Sequence, residues 1–354
     1  MLFIPISQHR EMAFLTSIAL FLSLAAFSLA SLGNSSSVLS RAGTFSNPLN
    51  KQKGADPCMR YINGVYYMTS TQNTNIAMWA ATTVEGIKTA TPTVLFTDTT
   101  AGRNFDFWAP EYYAVAGNGD DNTHRLHVLS GGTDASNPMN GAYSHTASLV
   151  PSNFDFWAVD GSVLELGGAR YFIFSGKTTD AVWTQCTYIV RMSSPTTLSG
   201  NAVQISCPTL SWETAATPVQ EGPEAITIGG VTHIVYSASH CSTDDYASLF
   251  HHCHLYEALG LLTLTARANP LLASSWTKSP SPVFTKNVAA GVYGPGHHFM
   301  FEKNGEHLFA YHGKSKPGLG CGDLRTTRVQ PFSLNGTTPV FPAAVGDGIA
   351  VAEP

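Results

Sequence analysis

The sequence predicts an all-β fold, a five-bladed β-propeller. One hairpin pattern recurs five times, its copies lie about a blade's length apart, and the residue leading each copy keeps nearly the same distance to its turn. The first copy starts at Asp56, passes Arg60-Tyr61-Ile62, turns at Asn63-Gly64 and returns as Val65-Tyr66-Tyr67-Met68. The second starts at Glu111, passes Tyr112-Tyr113-Ala114-Val115, turns around Gly117-Asn118-Gly119 and returns as Leu126-His127-Val128-Leu129. The third starts at Asp160, turns at Gly167-Gly168 and returns as Tyr171-Phe172-Ile173-Phe174. The fourth starts at Glu221, turns at Gly229-Gly230 and returns as Ile234-Val235-Tyr236; the fifth starts at His297, turns at Asn304-Gly305 and returns as Leu308-Phe309-Ala310-Tyr311.

Asn-Gly and Gly-Gly between aromatic or β-branched runs are hairpin signals, because a tight two-residue turn needs positive φ at its centre. The turn follows the leading residue by seven positions in four copies and by eight in the fourth. Successive copies begin 55, 49, 61 and 76 residues apart, close to the length of a four-stranded blade with its loops. Equivalent positions on the innermost strands converge at one end of a propeller's channel. Asp56, Glu111, Asp160, Glu221 and His297 are therefore expected to meet there. Any one of these alone reads as a turn or cap residue. Four carboxylates and a histidine in one register of a charge-poor chain point instead to a site that exploits shifted pKa values.

Composition narrows the partner. The 354 residues are 44% hydrophobic and 12% charged, with a net charge of −5. No basic cluster offers a footprint for a phosphate backbone, which excludes nucleic acid and favours a neutral polymer such as a polysaccharide. Residues 1–30 are expected to be a signal peptide, with Met12 as an alternative start: Arg10 precedes an apolar run, Leu15 to Ala30, that is short for a bilayer and ends in Ser28-Leu29-Ala30. Residues 31–44 are expected to be a flexible segment, residues 45–350 the propeller, and the protein a secreted, extracellular monomer with no membrane span. The six cysteines, Cys58, Cys186, Cys207, Cys241, Cys253 and Cys321, fit an exported protein with disulfides, but their spacing selects no pairing. Asn34-Ser35-Ser36 and Asn335-Gly336-Thr337 are glycosylation sequons.

Inverting hydrolysis of a glycosidic bond needs a general acid for the leaving oxygen and a carboxylate base for water, roughly 6.5–9.5 Å apart. A third carboxylate can keep the acid protonated, since like charges oppose each other's ionisation. Ala55-Asp56-Pro57, Trp108-Ala109-Pro110-Glu111, Val159-Asp160-Gly161-Ser162 and Glu221-Gly222-Pro223 stand in the order seen in glycoside hydrolase family 43, which the chain resembles over nearly all of residues 45–350. The resemblance implies Asp56 as general base, Asp160 as pKa modulator and Glu221 as general acid; Glu224 is a nearby rival for the acid. It also implies substrate contacts at Trp108, Glu111, His297 and Arg325. Trp79 and Trp157 read as packing residues, and Arg328 as a structural surface residue. No cofactor is expected; a water-coordinated calcium beside His297 and a metal-free channel histidine are both open.

The run from Trp108 to Tyr113, with Tyr236-Ser237-Ala238-Ser239, Leu261-Leu262-Thr263-Leu264 and His312-Gly313-Lys314, most resembles exo-acting 1,5-α-L-arabinofuranosidases. That implies release of L-arabinofuranosyl groups from plant cell-wall arabinan. A β-xylosidase, an endo-arabinanase and an inactive carbohydrate-binding propeller are the alternatives. Against the family pattern, residues 248–258 (SLFHHCHLYEA) are expected to be an insertion, either a loop or translated non-coding sequence. Its His251-His252-Cys253-His254 run has no regular metal-ligand spacing.

Overall fold

In the computed structural model, the described residues are 43–111, 116–118, 124–131, 134, 136–177, 183–215, 217–243 and 257–354. They form strands and four short 3-10 turns, arranged as a propeller-like all-β fold. After a short β1 (Thr44–Ser46), the first sheet is the meander β2 (Cys58–Ile62), β3 (Val65–Thr69), β4 (Ile76–Ala81) and β5 (Thr93–Phe96). The second holds β6 (Ala116–Asn118), β7 (Arg125–Gly131) and β8 (Tyr143–Leu149). The third is β9 (Ala158–Leu166), β10 (Ala169–Gly176), β11 (Cys186–Ser194) and β12 (Thr197–Ser206), and the fourth β13 (Gln220–Ile228), β14 (Val231–Ala238), β15 (Ala258–Leu264) and β16 (Trp276–Lys278). The fifth holds β17 (Tyr293–Lys303), β18 (Glu306–Lys314) and β19 (Thr326–Pro331), followed by the ribbon β20 (Ser333–Asn335) and β21 (Thr338–Val340). Finally β22 (Ala350–Ala352) returns to pair with β1, Phe45 opposite Val351, which ties the two ends of the fold together.

Side-chain alternation explains how the sheets stack. Successive residues of a strand point to opposite faces, so a strand apolar at every position is buried on both. Along β10, Phe172 and Phe174 join a core shared with Leu126 and Val128 of the second sheet, while Tyr171 and Ile173 join one shared with Ile234 and Tyr236 of the fourth. Along β14, Val235 turns the other way, to Phe309 and Tyr311 of the fifth. Leu308 and Ala310 of β18 then face Met59, Tyr66 and Met68 of the first sheet, in a core that also takes Leu129 and Tyr143 of the second. Apolar cores thus occupy every sheet-to-sheet junction. Burying one such phenylalanine is worth about 1.5–3 kcal/mol.

Four of the five expected turns sit where the turn chemistry put them, at Asn63-Gly64, Gly167-Gly168, Gly229-Gly230 and Asn304-Gly305. The second does not: Gly117 and Asn118 belong to β6, paired with Leu126 and Arg125. The expected strand Tyr112–Val115 lies outside the described residues. Uniform four-stranded units are not found, since the second and fifth sheets have three strands among the described residues.

Three further expectations need correction. The structured chain begins inside the segment expected to be flexible, because Thr44 pairs with Ala352. The expected insertion at 248–258 includes residues that belong to the fold, since Glu257 is buried and Ala258 opens β15 opposite Ala238, while 248–256 lie outside the described residues. Arg328 is not a surface residue; its side chain is fully buried and pairs with Asp347. The expected signal peptide, Asn34 and the His251–His254 run lie outside the described residues. Two disulfides join Cys186 to Cys207 and Cys241 to Cys321.

Candidate active site

The inner strands are built irregularly where the leading residues sit. Asp56, Asp160 and His297 adopt left-handed backbone with φ of 55°, 55° and 39°, and Gly222 does so at 53°. This region is sparsely populated for residues with a Cβ and is frequent at functional sites. The ladders also shift register near Asp160, between Glu221 and Glu224, and around His297. A bulge of this kind re-aims side chains at a sheet edge. In the fourth copy the left-handed position is Gly222, seven residues before Gly229, so Glu221 stands one place ahead of the register held by Asp56, Asp160 and His297. Its longer spacing to the turn was the visible trace of that offset.

Asp56, Asp160, Glu221, His297, Arg325 and Trp108 line one cavity of about 410 Å³. Asp56 Oδ1 accepts from Arg325 Nη1 at 3.1 Å and lies 3.2 Å from His312 Nδ1 and 3.5 Å from His297 Nδ1; Thr71 Oγ1 donates to Oδ2 at 2.6 Å. Burial opposes ionisation of Asp56, but Arg325, His297 and His312 outweigh it and hold the carboxyl well below the usual range. Asp160 Oδ2 accepts from the Gly222 backbone N–H at 3.0 Å and lies 4.0 Å from His297 Nδ1. Burial and the Asp56 charge push Asp160 upward. Glu221 is raised well above the carboxylate range, by burial first and then by the charges of Asp160, Glu257 and Asp56. Three carboxylates facing one cavity are thereby driven toward different protonation states. That is how one site supplies both an acid and a base near neutral pH.

Glu111 is absent from the cavity lining and is 5% exposed; burial, with the Asp160 charge added, pushes its pKa up to about 8. Glu224, the rival acid, also lies off the cavity. It accepts from the Met300 backbone N–H at 2.5 Å, and burial raises it well above the usual range. The two are buried close enough that the Glu111 charge adds to the rise at Glu224. Trp79 packs on the first apolar core, as expected, whereas Trp157 lines the cavity. One wall is aromatic: Trp108 stacks on His124 with centroids 4.6 Å apart, Trp157 Nε1 bonds His124 Nδ1 at 3.0 Å, and Trp108 Nε1 donates to Asn73 Oδ1 at 2.8 Å. Trp183, 40% exposed, extends this wall. A broad apolar face beside polar groups suits a sugar ring.

Sequence reasoning passed over Thr71, His124, Trp183, Glu257 and the contact of His312 with Asp56. Thr71 and His312 follow or end return strands of their hairpins, and that position was the available signal. Around His297 the facing carboxylate oxygens, Asp56 Oδ1 and Asp160 Oδ2, already hold Arg325 and the Gly222 N–H. Calcium takes six to eight oxygen ligands, which a water-coordinated ion beside His297 would draw from solvent rather than from these two carboxylates. Among the described residues, His240, Cys241 and Cys321 lie close enough together to hold a metal, but the two cysteines are joined in a disulfide.

A family model described as glycosyl hydrolases family 43 matches residues 45–339. An extracellular exo-alpha-(1->5)-L-arabinofuranosidase of Streptomyces avermitilis is 33% identical over 350 residues, covering 92% of this chain and 69% of that protein. Alpha-L-arabinofuranosidase 43 of Humicola insolens is 29% identical over 327 residues, covering 87% of this chain and 65% of that protein. Among solved structures, an alpha-L-arabinofuranosidase from Lactobacillus brevis superposes with a TM-score of 0.73 at 26% identity, covering 86% of this chain and 98% of that one.

Proposed function

The chain belongs to glycosyl hydrolase family 43 and is a glycoside hydrolase, and from that premise we propose that it is a secreted, exo-acting, inverting α-L-arabinofuranosidase of plant cell-wall arabinan. What supports the mechanism is the opposed electrostatics within one cavity, which favour ionisation of Asp56 and protonation of Glu221. In this reading Asp56 takes a proton from water, whose oxygen bonds to the anomeric carbon. The bond to the leaving oxygen breaks as Glu221 gives that oxygen its proton. The displacement inverts the anomeric centre. Asp160, between the two, opposes ionisation of Glu221. Arg325 and the Trp108–His124 wall hold the sugar.

The relatives named above, called arabinofuranosidases, support the substrate, and the word extracellular in one of their names, with two formed disulfides, supports export after removal of residues 1–30. The same reading takes the five sheets of three or four strands as five blades, because β2 packs against β17, β17 against β13, β13 against β9 and β9 against β6.

The test pairs Asp56→Asn and Glu221→Gln on linear 1,5-arabinan and on an aryl arabinofuranoside with an activated leaving group. Each is expected to lose about 10²–10⁴-fold in kcat on arabinan, the contribution of general acid or base catalysis. Glu221→Gln should keep much more activity on the activated aglycone, which needs no proton. Wild-type turnover of arabinan by either variant overturns the assignment. Oligosaccharide products in place of arabinose overturn the exo mode.

A further inference from the structure

The fully buried Glu257 touches neither the cavity nor any apolar core in a way that explains a charge there. Its Oε1 bonds His312 Nε2 at 2.9 Å, and the opposite nitrogen, Nδ1, accepts from the Asp56 backbone N–H at 3.3 Å and lies 3.2 Å from Asp56 Oδ1. Both Glu257 and His312 have side chains with no exposure. Placing a carboxylate in such a spot costs several kcal/mol of desolvation unless cations offset it. Here His312 does so at 2.9 Å and Lys314 Nζ stands 4.0 Å from Oε2. The fold also leaves a niche for it: a Cβ on Gly296 would fall 2.2 Å from Glu257 Oε1, and one on Gly294 would fall 3.1 Å from Oε2. Lys314 in turn donates to the carbonyls of Cys241 and Thr243, which fixes it in place.

We infer that Glu257 is a positioning residue for the hydrolytic reaction, fixing the ring of His312 through Nε2 so that Nδ1 stays against the backbone N–H and the carboxylate of Asp56. The inference rests on the assignment of Asp56 as general base made above. The Glu257 carboxylate accepts from Nε2–H and so fixes which way the ring faces; Nδ1 accepts the Asp56 N–H in the neutral ring and becomes a donor toward Asp56 Oδ1 only in the imidazolium. The charged and titratable groups facing His312 are Asp56 ahead of β2, Glu257 ahead of β15, Arg325 ahead of β19, His297 on β17 and Lys314 on its own strand. Burial and Arg325 work against the imidazolium, while Glu257 and Asp56 favour it and prevail. Without Glu257 the ring of His312 loses its fixed orientation and the carboxylate that most favours its charged form.

The experiment compares Glu257→Gln with Asp56→Asn in the full chain, measuring kcat, KM and the pH dependence of kcat/KM on an aryl α-L-arabinofuranoside, with near-UV circular dichroism to confirm the fold. Glu257→Gln is expected to lower kcat about 10–100-fold, part of what a general base contributes, with KM changed by less than about twofold. Its acid limb moves to higher pH, which a merely structural residue would not cause. If Glu257→Gln keeps the wild-type kcat and acid limb while Asp56→Asn is inactive, this inference falls and the base assignment stands. If Asp56→Asn is active, the base assignment itself falls. Should Glu257→Gln fail to fold, His312→Gln carries the same expectation, and an unchanged kcat and acid limb in that variant overturns the inference.

Discussion

Replacing Cys241 and Cys321 together by serine removes a cross-link that spans 80 residues, whereas replacing Cys186 and Cys207 removes one that spans 21. In the chain-entropy account, closing loops of these lengths stabilises the fold by ~4.5 and ~3.3 kcal/mol at 25 °C, because a longer closed loop takes more freedom from the unfolded chain. The first variant should therefore be the less stable by about 1 kcal/mol. It should also differ in kinetics. Both Cys241 and Cys321 line the cavity, the following Gly322, Asp323 and Arg325 continue that wall, and Arg325 reaches Asp56. Cys186 instead lies in the apolar core between the second and third sheets, with Cys207 packed against it. Denaturant unfolding of the two double variants and the wild type, with KM measured on one aryl arabinofuranoside, provides both readouts. KM should rise for Cys241→Ser/Cys321→Ser and stay within about twofold of wild type for Cys186→Ser/Cys207→Ser. A larger stability loss from the short loop would refute the loop-length reasoning, and an unchanged KM in the long-loop variant would refute the role of the cross-link in shaping the wall.

Two further perturbations probe the site. Gly222→Ala puts a Cβ at φ 53° and 3.1 Å from His297 Cγ, so strain of about 1–2 kcal/mol from the left-handed backbone adds to a displaced ring. A lower melting temperature together with reduced kcat is expected, and wild-type values for both would show that His297 need not stay where it is. Arg325→Met removes a cation that favours ionisation of Asp56 and of Glu221. A base is active only when ionised and an acid only when protonated, so both limbs of the kcat/KM profile should move to higher pH, and a shift to lower pH in either contradicts the electrostatic account.

The hairpins were legible because turn chemistry is local: Asn63-Gly64 and Gly167-Gly168 announce positive φ wherever they stand. The same rule failed at Gly117, where a glycine sits within β6. The repeat brought Asp56 and Asp160 into one register and Glu221 to one place ahead of it, since equivalent strands of a repeat aim equivalent positions at one axis. Glu111 was counted from Gly117-Asn118, which belong to β6, and it does not line the cavity. Glu257 was hidden for the opposite reason. It belongs to no repeat, and only its approach to His312, 55 residues on, gives it meaning.

The amino-acid sequence by itself determined the class of fold and the order of the hairpins, which follow from the repeat and its turn residues, while resemblance to family 43 singled out Asp56, Asp160 and Glu221. Tertiary structure decided which charges meet. That Arg325, His297 and His312 gather on Asp56 while Asp160, Glu257 and Asp56 bear on Glu221 depends on sheets far apart in the chain closing on one cavity. Protonation follows from distance and burial, neither of which any stretch of sequence carries.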